Sequence, residues 1–210
     1  FRRRGFTYTE IARICNVSRG TVSNWLRHEE FSQPITLANK KRAALDNKKR
    51  IALVNKARVV ERKTQYASAL KAAETEYRHY RSAPLFIAGL TLYLSRMDGG
   101  TGGKIRFSTG AVDQQVLFIR FLQAYLGVER SQIHLWLLLY PAHDEVQALK
   151  YWSRKTGVSV AQFHKSQVIQ GRSSRETLQF GVLNTIIGST LLQKKLAHWV
   201  GLLKKELKTT

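Results

Sequence analysis

The stretch Thr9-Glu-Ile-Ala-Arg-Ile-Cys-Asn-Val-Ser-Arg-Gly-Thr-Val-Ser-Asn-Trp-Leu26 reads as two short helices joined by a tight turn. Thr9 is the expected N-cap of the first, and Ile11, Ala12 and Cys15 give it an apolar stripe. Asn16 falls where the chain must turn sharply, and Asn tolerates left-handed backbone better than any residue except Gly. Ser18 is placed to cap a second helix, whose Val22, Trp25 and Leu26 recur at helical spacing and are expected to face inward. Arg19, Thr21, Ser23, Asn24 and Arg27 are left pointing outward.

This pattern resembles the helix-turn-helix of bacterial DNA-binding proteins, with Ala12 at the small contact position and Asn16 where Gly is usual. The resemblance implies that the second helix enters a major groove and that its polar side chains reach base edges. The candidate DNA-binding residues are then Ser18, Arg19, Thr21, Ser23, Asn24 and Arg27. Arg2, Arg3 and Arg4 join them as expected phosphate or minor-groove contacts, with the end of a preceding helix as their other reading. An ordinary helical hairpin with a polar face is the plainer alternative. The chain begins at Phe1 rather than Met, so further sequence is expected before it.

Composition points the same way. The 210 residues carry a formal charge of +21, with 43% apolar residues, enough to build a core. Residues 1–82 hold 19 Lys and Arg against 7 Asp and Glu, and residues 83–210 hold 16 against 7, so the charge is not confined to a tail. A polyanion is the economical partner, and nucleic acid, as duplex DNA, is the one expected. No long uncharged apolar run suits a bilayer and no signal peptide is evident, so no membrane partner is expected. One cysteine, Cys15, excludes an intramolecular disulfide framework and is expected to be a buried structural thiol. A reducing cytoplasmic setting, close to the nucleoid, fits this reading.

Three segments follow from the pattern: a DNA-binding domain over 1–34, a basic helical connector over 35–82, and a further domain over 83–210. From Ile35 to about Tyr80 there is neither Gly nor Pro, and strong helix formers dominate. Some 45 helical residues would extend roughly 65–70 Å. Apolar positions such as Leu37, Leu45, Ile51, Val59 and Leu70 are sparse, so such a helix needs something packed along it. It is either a dimerisation helix, a connector lying near DNA phosphates, or a solvated linker.

Pro84 suits the first turn of a new helix. The run Leu85–Leu94 is almost continuously apolar, with Ala88 and Gly89 small at its middle. Strands are expected at Lys104–Thr109, Gln132–Tyr140, Gln162–Gln170 and Leu178–Ile187, the last two forming a hairpin across a basic loop. Amphipathic helices are expected at Asp113–Leu126 and His143–Thr156, stopped by Gly127 and Gly157, and at Leu191–Leu207. The fold class is therefore α+β, an all-α N-terminal domain and a mixed C-terminal one. Lys165, Arg172 and Arg175 on the late hairpin are further candidates for DNA phosphate, with a solvated loop as the alternative.

Phe86-Ile-Ala-Gly-Leu90 followed by an apolar helix, the strand with Phe107-Ser-Thr109, and the helix ending Phe121-Leu-Gln-Ala-Tyr-Leu-Gly127 resemble the LAGLIDADG homing-endonuclease fold. More closely, the chain resembles bacterial proteins that pair a helix-turn-helix with such a domain. The resemblance implies that motif helices of two subunits or repeats pack through small residues such as Ala88 and Gly89, and that a saddle-shaped sheet binds DNA. It also implies a carboxylate ending the motif helix, holding Mg²⁺ against the scissile phosphate. Leu94 and Ser95 stand where the acid and the following glycine belong. Asp98, four residues on, is the one candidate catalytic or metal-binding carboxylate, against a bland role in its Gly-rich loop.

His28, His79, His134, His143, His164 and His198 show no ligand-like spacing, and Gly99–Lys104 lacks the strand-to-helix context of a phosphate loop. No cofactor is expected unless cleavage survives. The reading is a sequence-specific duplex-DNA-binding protein, either a transcriptional regulator or a mobile-element accessory factor, with a homodimer as one option. A Mg²⁺-dependent endonuclease and an RNA-binding module are the alternatives. No aromatic stacking pattern of single-strand readers supports the last.

Overall fold

The computed structural model describes residues 1–96, 102–169 and 178–209. In chain order these form α1 (Tyr8–Ile14), α2 (Arg19–Leu26), α3 (Ser32–Tyr80), α4 (Pro84–Ser95), β1 (Ile105–Thr109), α5 (Val112–Leu126), β2 (His134–Leu139), α6 (Glu145–Thr156), β3 (Phe163–Val168), β4 (Val182–Ile187) and α7 (Thr190–Thr209). The chain divides into two compact units, Phe1–Lys63 and Thr64–Thr210, and the division falls inside α3. The division thus falls within the stretch expected as a connector, and Pro34 lies in the first turn of α3.

In the first unit the buried apolar side chains are Ile11, Ala12 and Val22, with Phe6, Tyr8, Val17 and Leu26 partly covered around them. Two expectations fail here. Trp25 is 58% exposed, because packing against α1 reaches Val22 and Leu26 and stops short of it. Cys15 is exposed as well, since it serves as the C-cap of α1 and the chain turns away at Asn16.

The second unit holds a four-stranded mixed sheet in the order β1-β4-β2-β3. β4 is antiparallel to both β1 and β2, and β2 is parallel to β3. The late strands therefore do not form the expected hairpin: β2 sits between them, and β2 reaches β3 through α6, as parallel neighbours require a crossover. Ile105 and Phe107 of β1, Leu135, Leu137 and Leu139 of β2, and Leu183 and Ile187 of β4 turn to the core with Phe86, Leu90, Phe118, Phe121, Trp152 and Trp199 of the helices.

The last part of α3 belongs to this core. Tyr66, Leu70, Ala73, Tyr77 and Tyr80 recur at three and four residues, and Ala73 and Tyr77 are buried. The Trp199 indole donates to the Ala73 carbonyl at 2.8 Å, and Lys195 reaches Glu76 at 2.8 Å. Gly89 is buried because α4 and α5 touch there: a Cβ would overlap the Phe121 ring. Within this chain, then, the close approach that Gly89 permits is to α5.

Candidate nucleic-acid interface

Each end of the two short helices is fixed by hydrogen bonds. Thr7, not Thr9, caps α1: the Glu10 amide donates to its hydroxyl at 3.2 Å, and the Thr7 amide donates back to the Glu10 carboxylate at 2.7 Å. Thr7 stands one residue before the helix and three before an acid, which is the reciprocal arrangement that Thr9 lacks. These bonds hold the Glu10 carboxyl below the usual carboxylate range, the backbone bond from Thr7 first and its hydroxyl second. Asn16 takes φ 54°, as the turn demands, and the Val17 amide donates to the Ala12 carbonyl at 3.0 Å. Ser18 caps α2, accepting from the Thr21 amide at 3.0 Å, and its hydroxyl lies 2.9 Å from that of Thr21.

Val22, fully buried, pins α2 against α1. At 100° per residue the opposite face carries Gly20, Asn24 and Arg27, flanked by Thr21 and Ser23. Asn24 and Arg27 are exposed, and Thr21 and Ser23 are half-exposed. Arg27 donates to His28 at 2.8 Å. Arg19, also exposed, lies off this face and lines an open cleft of about 440 Å³ with Thr9, Thr36, Asn39 and Lys40. Gly20, on the outward face, was not marked in the sequence as a contact; its signal is a glycine inside a helix, where an added Cβ would meet the Ser18 hydroxyl at 3.5 Å.

The three N-terminal arginines part company. Arg2 is 6% exposed, and its guanidinium donates to the Phe6 carbonyl (2.8 Å), the Ser32 carbonyl (2.8 Å), the Ser32 hydroxyl (3.1 Å) and the Thr36 hydroxyl. It also lies 4.6 Å from the centroid of the Tyr8 ring. Its donors are consumed in joining α3 to the start of the chain, which removes it from the phosphate-contacting set. Arg3 is exposed and rests over Phe31 at 4.7 Å, and Arg4 is exposed.

In the second unit Lys165 is exposed on β3, the edge strand beside β2. Arg172, Arg175 and Asp98 lie outside the described residues. The sheet face turned from the core carries Arg106, His134, Trp136, His164 and Asn184. The rings of His134 and His164 stack 5.1 Å apart, and Asn184 accepts from Ser108 and donates to the Trp136 carbonyl at 3.3 Å.

Leu94 packs its hydrocarbon against the core, and the Ser95 hydroxyl donates to the Leu92 carbonyl at 2.8 Å. The position that the nuclease resemblance assigns to an acid thus carries a hydrocarbon side chain and no carboxylate. Among the described residues no group of three or more His, Cys, Asp or Glu is gathered as a metal site would require, and no helix is long and apolar enough to cross a membrane.

Residues 1–34 match the model of a homeodomain-like domain. The match covers α1, the turn and α2, and supports a helix-turn-helix domain with sequence-specific DNA binding. No curated protein and no solved structure matches the chain.

Proposed function

We propose that the protein is a sequence-specific duplex-DNA-binding regulator, or an accessory factor of a mobile element, in which α2 reads base edges from the major groove. The observation that carries the reading is the outward face of α2, with Asn24 and Arg27 exposed and Thr21 and Ser23 beside them, on a helix fixed by Ser18 and Val22. Asn and Arg offer the paired hydrogen-bonding geometry that distinguishes adenine and guanine. Arg3, Arg4, Arg19 and Lys165 supply phosphate contacts in this account.

The C-terminal unit is proposed to be a LAGLIDADG-like domain retained for binding after loss of cleavage. Leu94 in place of an acid supports that view. Pairing with a second copy would use the shallow groove of about 560 Å³ on α4 and α5, lined by Leu85, Ala88, Val116 and Leu117.

The test is selection from randomised duplex DNA by the full chain, with bound pools incubated with and without Mg²⁺. An enriched motif recovered intact is expected, and palindromy in it would indicate a dimer. Metal-dependent cuts would replace the regulator with a nuclease. Equal capture of structured RNA without any enriched motif would overturn the reading.

A further inference from the structure

Neither of the two buried apolar clusters draws on the middle of α3. Every residue from Lys40 to Gln65 is exposed, and this run includes Leu45, Ile51, Leu53 and Val59. Basic residues recur along it in register: Lys41-Arg42, Lys48-Lys49, Lys56 (after Asn55) and Arg62-Lys63. A repeat of seven returns to nearly the same helix face, so these residues form one stripe. Against them the stretch 40–63 holds Asp46 and Glu61 as its acids.

The apolar residues behave differently. At 100° per residue Leu45, Ile51, Leu53, Val54 and Val59 scatter around the helix and build no seam. The column Leu45, Ala52, Val59 is interrupted on its inner side by Lys48, Asn55 and Arg62, which a coiled coil does not accept. A second copy of the same helix would bring like charges together at each repeat. What the stripe does match is a regular array of negative charge. From Lys41 to Lys63 it runs about 33 Å, close to one turn of duplex.

We infer that the Lys41–Lys63 stripe of α3 is a second DNA-contacting surface, which tracks the phosphate backbone flanking the bases read by α2. Both lie in the first unit. The inference rests on the DNA-reading assignment above and adds to it an electrostatic, sequence-independent footprint.

The experiment compares wild type, a K48Q/K49Q/K56Q/K63Q variant and Asn24→Ala, each as the full chain. The probes are two duplexes bearing the selected motif, one trimmed to it and one extended by about one helical turn on each side. Gln propagates helices about as well as Lys, and circular dichroism checks that helicity is retained. With the extended duplex, the quadruple variant should lower the slope of log affinity against log salt by about 2–4, near 0.9 per lost phosphate contact. Its sequence preference should be unchanged, and the trimmed duplex should show a much smaller difference.

An unchanged slope and affinity on the extended duplex overturns the inference while leaving the base-reading assignment intact. If Asn24→Ala also leaves sequence preference untouched, that assignment fails instead. Poly-glutamate competing as well as the extended duplex, with no dependence on duplex length, would point to an acidic protein partner and overturn the phosphate-tracking role.

Discussion

The two units are held together by different physics. The second buries a continuous aromatic and aliphatic cluster, in which Phe86, Phe118, Phe121, Trp152 and Trp199 are shielded from water. The first buries Ile11, Ala12 and Val22 and fixes the rest with caps and one inward guanidinium. Apolar burial scales with area, so so small a core contributes only a few kcal/mol and each hydrogen-bonded end carries a large share. The helix proposed to read bases therefore stands on a scaffold set by directional bonds, while the second unit stands on packing.

The contrast breaks most visibly at Trp199. Removing this fully buried indole, with its bond to the Ala73 carbonyl, should cost the second unit about 3–5 kcal/mol. Thermal unfolding followed by residue-resolved hydrogen exchange should show the loss in Thr64–Thr210 and leave protection of α1 and α2 unchanged. A matching loss in the first unit would mean that the two share one cooperative transition.

Arg2→Ala tests the opposite half. It strands the carbonyls of Phe6 and Ser32, and should destabilise the first unit by about 1–3 kcal/mol. The salt dependence of DNA binding, measured below the melting transition, should not change. A shallower slope without loss of stability would restore Arg2 to the phosphate contacts.

Smaller changes sharpen the difference. Ser18→Ala removes the cap of α2, worth about 0.5–2 kcal/mol to the first unit. Gly20→Ala should stabilise α2 by about 0.5–1 kcal/mol, since its Cβ would meet only the Ser18 hydroxyl at 3.5 Å, an ordinary contact. The same change should weaken DNA binding if the bare backbone is there for close approach.

The pH dependences differ as well. Glu10 is held below the ordinary carboxylate range in the folded state, so its cap contributes above the unfolded pKa and is lost as pH falls through the folded one. Acid should therefore loosen the first unit. Tyr77 is raised, by burial first and then by its bond to Glu206, so its contribution is complete below the ordinary tyrosine range and fades in alkali. Alkali should loosen the second. Circular dichroism at both extremes, with Thr7→Ala and Tyr77→Phe as controls, checks both signs.

What the sequence made legible was local. Asn16 at the turn, Ser18 as cap, Pro84 opening α4, and Gly127 and Gly157 closing α5 and α6 each follow from the backbone those residues favour. The four strands were found for the same reason. The pairing of strands was not, because β4 pairs with β1 and β2 across long sequence separations while β3, its neighbour in sequence, is paired with β2 instead. Arg2 was misread because its partners at Ser32 and Thr36 lie thirty or more residues away, and an arginine beside a basic reading head looks like any other. Trp25 was misplaced because periodicity marks the edge of an apolar stripe but not how far the neighbouring helix covers it. Thr7 was legible and overlooked: its partner Glu10 stands three residues on.

The claim at the centre of this account is that α2 reads bases, and it is tested most directly by repeating the duplex selection with Asn24→Ala. The account predicts that the variant recovers the wild-type motif with preference relaxed at one or two positions, by about 1–3 kcal/mol each, and with binding elsewhere unchanged. A uniform loss of affinity across all sequences, with every position of the motif kept, would contradict it.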